Sequence, residues 1–137
     1  MTYVFDASFA GTLLIPDEND PHVREMYNKI QNEDEKIVPQ LFWYEISNVF
    51  KNLHRRKRYN IDEIMDFFPY LIAIRLKSDN ESGPEYSKKL LGLSNEYDLN
   101  SYDAAYLELA GRKNAILCTL DFNLIEAAQK RGVEVLN

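Results

Sequence analysis

One cysteine, Cys118, occurs in the 137 residues. That excludes an internal disulfide and suits a reducing cytoplasm. Histidine is almost as scarce. His22 and His54 lie far apart with no cysteine near either, which argues against zinc. Neither Ser–His nor Cys–His nucleophilic catalysis finds a supporting arrangement. The five glycines are scattered and form no glycine-rich phosphate loop. No run of about 18 apolar residues is available to span a bilayer. Met1 leads straight into a strand-like segment with no basic stretch or cleavage site, so no signal peptide is expected. Internal repeats and low-complexity tracts are also missing.

What remains is an ordinary globular composition, 45% hydrophobic and rich in Tyr and Phe. One domain over residues 1–137 is expected. The net charge of −6 is not that of a typical nucleic-acid binder. Metal-binding acids count towards that figure until cations neutralise them. The positive charges are also gathered, with His54-Arg55-Arg56-Lys57-Arg58 forming one basic run.

Short β-branched or aromatic runs alternate with longer amphipathic stretches, the pattern of a parallel sheet covered by helices. Strands are expected at Tyr3–Phe5, Lys36–Val38, Ala115–Thr119 and Val133–Leu136. Ile72–Leu76 reads either as a further strand or as a helix end. Phe42, Ile46, Val49, Phe50 and Leu53 make one helical stripe; Tyr102, Ala105, Tyr106 and Leu109 make another. Further helices are expected over Pro21–Gln31, Ile61–Phe68, Glu85–Tyr97 and Phe122–Lys130, the last closed by Gly132. Ser78–Pro84 reads as a loop, and the aromatic residues are expected mostly in the core.

Four acids occupy suggestive places. Asp6 and Asp121 each follow a strand and precede a helix, where groups at the carboxyl ends of parallel strands line a crevice. Asp103 falls in the first turn of its helix. Glu45 lies roughly 90° from the centre of its apolar stripe, on the flank that also carries Asn48, Asn52 and Arg56. Carboxylates are the natural ligands of Mg²⁺ or Mn²⁺, and such ions hydrolyse phosphodiesters by activating water and stabilising developing charge. Each acid also has a structural alternative. Asp6 and Asp121 suit helix N-caps, Asp103 suits a capping box with Asn100, and Glu45 suits a solvated helix face. Ser8 and Thr119 are placed either to hold a carboxylate or to fix a turn, and Asn48 either to orient Glu45 or to meet a phosphate. Arg55 and Arg56 continue the Glu45 flank and suit nucleic-acid phosphates, acidic groups of a protein partner or simply a helix C-terminus.

The words around the acids are more specific than the acids alone. Val4-Phe5-Asp6-Ala7-Ser8, Glu45-Ile46-Ser47-Asn48-Val49-Phe50, Ser101-Tyr102-Asp103-Ala104-Ala105-Tyr106 and Thr119-Leu120-Asp121 occur in the order and rough spacing of PIN domains, and Gly132-Val133-Glu134-Val135 is similar to their ending. The whole chain resembles PIN-domain nucleases of the VapC toxin type, least distinctly over residues 61–95. The resemblance implies a three-layer α/β/α fold with a central, mostly parallel sheet. It implies a Mg²⁺- or Mn²⁺-dependent endoribonuclease with Asp6, Glu45, Asp103 and Asp121 as metal ligands. It further implies a cytoplasmic homodimer held inactive by a cognate antitoxin. The alternatives are an inactive binding module of the same fold and a metal-dependent nuclease acting on DNA. An aspartyl-phosphate phosphatase is disfavoured, because Ser8 stands where a second aspartate would be needed.

Overall fold

The computed structural model describes all residues, 1–137. Its centre is a four-stranded sheet of β1 (Thr2–Phe5), β2 (Glu35–Val38), β3 (Lys77–Ser78) and β4 (Ile116–Cys118) in the order β3-β2-β1-β4. Every pairing is parallel, with Val4 opposite Ile37 on one side and Leu117 on the other. β1, β2 and β4 are almost wholly buried, as expected of strands covered on both faces by crossover helices.

Helices α1 (Ala7–Leu14), α2 (Pro21–Tyr27), α3 (Leu41–Arg55), α4 (Ile61–Met65) and α5 (Phe68–Ile74) pack among themselves. They are joined by a 3₁₀ turn at Pro16–Glu18. α6 (Pro84–Tyr97), α7 (Ser101–Arg112) and α8 (Phe122–Arg131) form a second group around α7. The result is a three-layer α/β/α arrangement. α7 is buried on all sides from Ala104 to Ala110, so it is the central helix of its layer and not one with a single apolar stripe. Tyr102, expected on that stripe, is 62% exposed, because it precedes the buried stretch.

Several local expectations are resolved or changed. Of the two readings of Ile72–Leu76, the helix end is the one found. Leu71 and Ile74 are buried while Ile72 is exposed, a three-residue spacing that belongs to helix α5. Arg75 ends α5 in the left-handed region at φ 62°, and the edge strand follows at Lys77–Ser78. The helix expected over Ile61–Phe68 is broken in two. Pro69 cannot donate to the carbonyl of Met65, so the chain restarts with proline in the first turn of α5. Val133–Leu136 makes only a single parallel bridge, Leu117 to Val135, instead of a full strand. α2 stops at Tyr27, short of the expected Gln31. Gly132 caps α8 at φ 78°, a conformation that favours glycine.

The sheet order matters most for function. From β1 the chain crosses to β2 on one side, whereas β4 lies on the other. The helix after β1 and the helix after β4 therefore belong to different layers, and the carboxyl ends of these strands form the switch point at which open α/β sheets bind ligands.

Candidate active site

Asp6 directly follows β1 and is 5% exposed. Its Oδ1 accepts hydrogen bonds from the Phe9 amide at 2.9 Å and Ser8 Oγ at 2.7 Å, and Thr119 Oγ1 donates to its Oδ2. Ser8 Oγ also accepts from the Leu120 amide at 3.1 Å, and Thr119 Oγ1 from the Asp121 amide at 3.0 Å. Two hydroxyls thus tie the loop after β4 to the carboxylate after β1. Asp6 thus caps α1, with its carboxylate fixed at the carboxyl end of β1.

Asp121 caps α8 through Oδ1, which accepts from the Leu124 amide at 3.1 Å. Its second oxygen takes no hydrogen bond. In α7, Asn100 accepts from the Asp103 amide at 2.8 Å, but the Asp103 side chain does not reach back to Asn100. A complete capping box does occur at Asn60 and Glu63. The Asp103 carboxylate therefore serves no cap, and both its oxygens are free.

Glu45 is held by a group that the sequence reading assigned to the core. Tyr106 Oη donates to Glu45 Oε1 at 2.5 Å. The only visible signal was chemical: a buried tyrosine needs a partner for its hydroxyl. Asn48 is exposed and makes no hydrogen bond, so it does not orient Glu45. The start of α3 is anchored as well. Gln40 Nε2 donates to the Asp79 carbonyl, and Trp43 Nε1 donates to Ser78 Oγ at 2.7 Å. Asp79 is itself clamped by Arg112 of α7, with Nη2 to Oδ2 at 2.6 Å and Nη1 to Oδ1 at 3.2 Å, and Arg112 also binds Glu108. This partly buried network links the edge strand, α3 and α7, and so helps fix two of the helices that carry the acids. Nothing in the spacing of Asp79 and Arg112 announced it.

The acids feel one another. Burial, with a smaller push from Glu45, raises Asp6 from 3.8 to about 6 against the pull of its hydrogen bonds. Burial and the charges of Asp121 and Asp6 raise Asp103 from 3.8 to about 6. Burial and Asp103 raise Glu45, while the Tyr106 hydrogen bond opposes them. Burial and the Glu45 carboxylate push the Tyr106 phenol up. No salt bridge reaches any of the four acids. Burial without a counter-charge is the main cause of these shifts, with like charges adding to it, and a cation would relieve both.

No three of these side chains are arranged to hold a metal ion as they stand. The donor set nevertheless fits a hard cation. Asp103, one oxygen of Glu45 and one of Asp121 are unengaged, and Mg²⁺ keeps several waters and needs only one or two carboxylates beside substrate phosphate. The acids do not line the main cavities. The apolar cleft of about 640 Å³ lies elsewhere, between Leu14, Tyr27, Phe67 and Ile74. An open surface suits a polymer better than a small molecule.

Arg55 closes α3 and Arg56 is its C-cap, both exposed. Arg55 Nη1 contacts Asn52 at 3.3 Å. Arg58 is committed elsewhere, binding Asp17 at 2.6 Å and Glu18 at 3.1 Å. Cys118 is buried at the end of β4, and no helix is long and apolar enough to cross a membrane.

Comparison with known proteins agrees with this architecture. The PIN domain family matches residues 3–130. No curated protein matches the chain. Among solved structures, the chain is similar to PAE2754 from Pyrobaculum aerophilum, with TM-score 0.69, 21% identity, and 93% of this chain and 87% of that one covered. It is also similar to a chain of VapBC2 from Rickettsia felis bound to promoter DNA, with TM-score 0.68, 14% identity, and 100% and 98% covered. A third likeness is to FitAcB from Neisseria gonorrhoeae, with TM-score 0.61, 16% identity, and 98% and 96% covered. With the family matched across nearly its whole length and the parallel three-layer fold in place, the chain belongs to the PIN-domain family.

Proposed function

We propose that the chain is a metal-dependent endoribonuclease, the toxin of a type II toxin–antitoxin pair. The observation that carries this reading is the group of four acids from β1, α3, α7 and the β4–α8 junction. None of them has a basic partner, and Asp103, Glu45 and Asp121 keep oxygens free of hydrogen bonds. Bound Mg²⁺ or Mn²⁺ would supply charge stabilisation for the attacked phosphodiester and a nucleophile at neutral pH. Asp6, Glu45, Asp103 and Asp121 would hold the ion. Ser8 and Thr119 hold Asp6 in one orientation, and Tyr106 does the same for Glu45, as outer hydrogen bonds to metal ligands generally do. The carboxylates would position the ion and help accept the proton from the attacking water.

Arg55 and Arg56 lie about 15 Å along α3 from Glu45, at 1.5 Å per residue. From there they meet RNA phosphates beyond the cleavage point. The fold likeness to a chain of a toxin–antitoxin complex from Klebsiella pneumoniae, with TM-score 0.60 and 17% identity, supports an antitoxin partner for this chain, and a homodimer in a reducing cytoplasm completes the reading. The caps formed by Asp6 and Asp121 favour the rival binding module only in part, since a cap uses one carboxylate oxygen and explains neither Glu45 nor Asp103. Incubating the purified, partner-free chain and Mn²⁺ with RNA, single-stranded DNA and a small phosphate ester tests the substrate class. Cleavage of RNA alone is expected. Preferential cleavage of DNA or the ester would replace the reading.

A further inference from the structure

We propose that Tyr102 and Phe122 are stacking platforms that select single-stranded RNA by holding bases on either side of the bond to be cut. The inference rests on the nuclease reading above and adds what the site recognises.

Tyr102 is 62% exposed and Phe122 is 73% exposed, and each adjoins one of the acids, Asp103 and Asp121. Tyr102 stands one helical turn before Tyr106, so the two side chains share nearly one face of α7. Since Tyr106 reaches Glu45, the Tyr102 ring stands on the Glu45 side of Asp103. Phe122 is the first residue of α8 and stands on the Asp121 side. Two large exposed rings thus adjoin two of the acids along the chain, on two different helices. Neither ring joins an aromatic contact within the chain, although both have an apolar surface that folding leaves in water.

Charge explains why rings are needed there. No ion pair of the chain holds a basic side chain against the acids, and the nearest basic run lies about 15 Å away along α3. Bases supply the remaining grip, because every base offers a π face and stacking on aromatic side chains tolerates any sequence. In a duplex those faces are already covered by neighbouring bases. The rings therefore discriminate against double strands without reading sequence.

The test uses the full chain, with Ca²⁺ in place of Mg²⁺ to avoid cutting, and a short fluorescein-labelled RNA offered as single strand and as duplex. Tyr102→Ala and Phe122→Ala are compared with Tyr102→Phe and Phe122→Trp, and unchanged melting temperatures establish that all four fold. The wild type should prefer the single strand. Each alanine variant should lose about tenfold in single-strand affinity and almost nothing for duplex, while the aromatic replacements retain both. In Mn²⁺ the alanine variants should show a raised KM with kcat little changed. Alanine variants that bind like the wild type, lose both substrates equally or instead change the sedimenting mass would overturn the stacking role. If the wild type still cuts RNA in that case, the nuclease reading survives without it. A wild type that neither binds nor cuts RNA removes both.

Discussion

Replacing Asp103 with asparagine should make the metal-free protein more stable at neutral pH while abolishing its response to divalent cations. In the folded chain this carboxyl is raised from 3.8 to about 6 by burial and by the charges of Asp121 and Asp6. Above pH 6 it is ionised in both folded and unfolded states, and the folded state bears the strain. The stability linked to its proton is fully present below pH 3.8 and is lost as pH rises through 6. That displacement corresponds to about 3 kcal/mol. Partial exposure and sharing of the titration with neighbouring acids reduce the effect to about 2 kcal/mol. Asparagine forfeits the favourable helix-dipole interaction of an acid in the first turn, roughly 0.5 kcal/mol. The Asn100 cap survives, because it uses the Asp103 amide. A net gain of about 1–1.5 kcal/mol should raise the melting temperature by roughly 3–6 °C at pH 7.5 in EDTA, and the gain should vanish near pH 4. Saturating Mg²⁺ should then stabilise the wild type by binding only its folded state and leave the variant unmoved. Scanning fluorimetry across pH, with and without Mg²⁺, reads both effects. A variant less stable than the wild type at pH 7.5, or a difference that ignores pH, would refute the argument.

Other perturbations separate positioning from packing. Thr119→Val removes the hydroxyl between Asp6 and the Asp121 amide, and should weaken divalent binding by about 10–100-fold in Mn²⁺ titration. Tyr106→Phe keeps the ring volume but frees Glu45, so cleavage should fall while stability drops only about 1 kcal/mol; a fall of several would assign Tyr106 to the fold instead. Arg112→Ala leaves Asp79 and Glu108 buried without their partner and should cost about 3–5 kcal/mol by denaturant unfolding at pH 7. Burial pushes the Asp79 carboxyl up, but Arg112 overcomes this and holds it below its usual value. That contribution is present above pH 3.8 and is lost in acid, so the penalty should shrink towards pH 3. Arg55→Ala with Arg56→Ala should lower RNA affinity and flatten its salt dependence, by roughly 1.4 in log–log slope for two phosphate contacts, without changing the Mg²⁺-induced rise in melting temperature.

The sequence disclosed the fold where one physical signal acted alone. β1, β2 and β4 are short apolar runs between turn residues, and α3 carries a clean stripe at helical spacing. The signal failed where two constraints competed. Ile72 and its neighbours have strand-like composition, yet burial of Leu71 and Ile74 imposes the helix. Pro69 breaks a periodicity that otherwise runs on from α4. The four acids were legible as words in order, but their supports were not. Tyr106 looked like core because its ring is buried, and only the fold brings its hydroxyl to Glu45 from sixty-one positions away. Asp79, Arg112 and Glu108 meet across thirty-three residues, beyond the reach of any local pattern. Exposure of Tyr102 and Phe122 was equally hidden, since it depends on where the neighbouring helices stop covering the sheet.

The most direct test of the account is RNA cleavage by the partner-free chain in Mg²⁺, Mn²⁺ or EDTA, with Asp103→Asn alongside. The variant is predicted to be folded and no less stable in EDTA, so a loss of activity in it cannot be ascribed to unfolding. Cleavage that requires the metal and disappears in Asp103→Asn is the predicted result. Cleavage that continues in EDTA, or at full rate in the variant, would contradict the assignment of these four acids to a metal-dependent nuclease site.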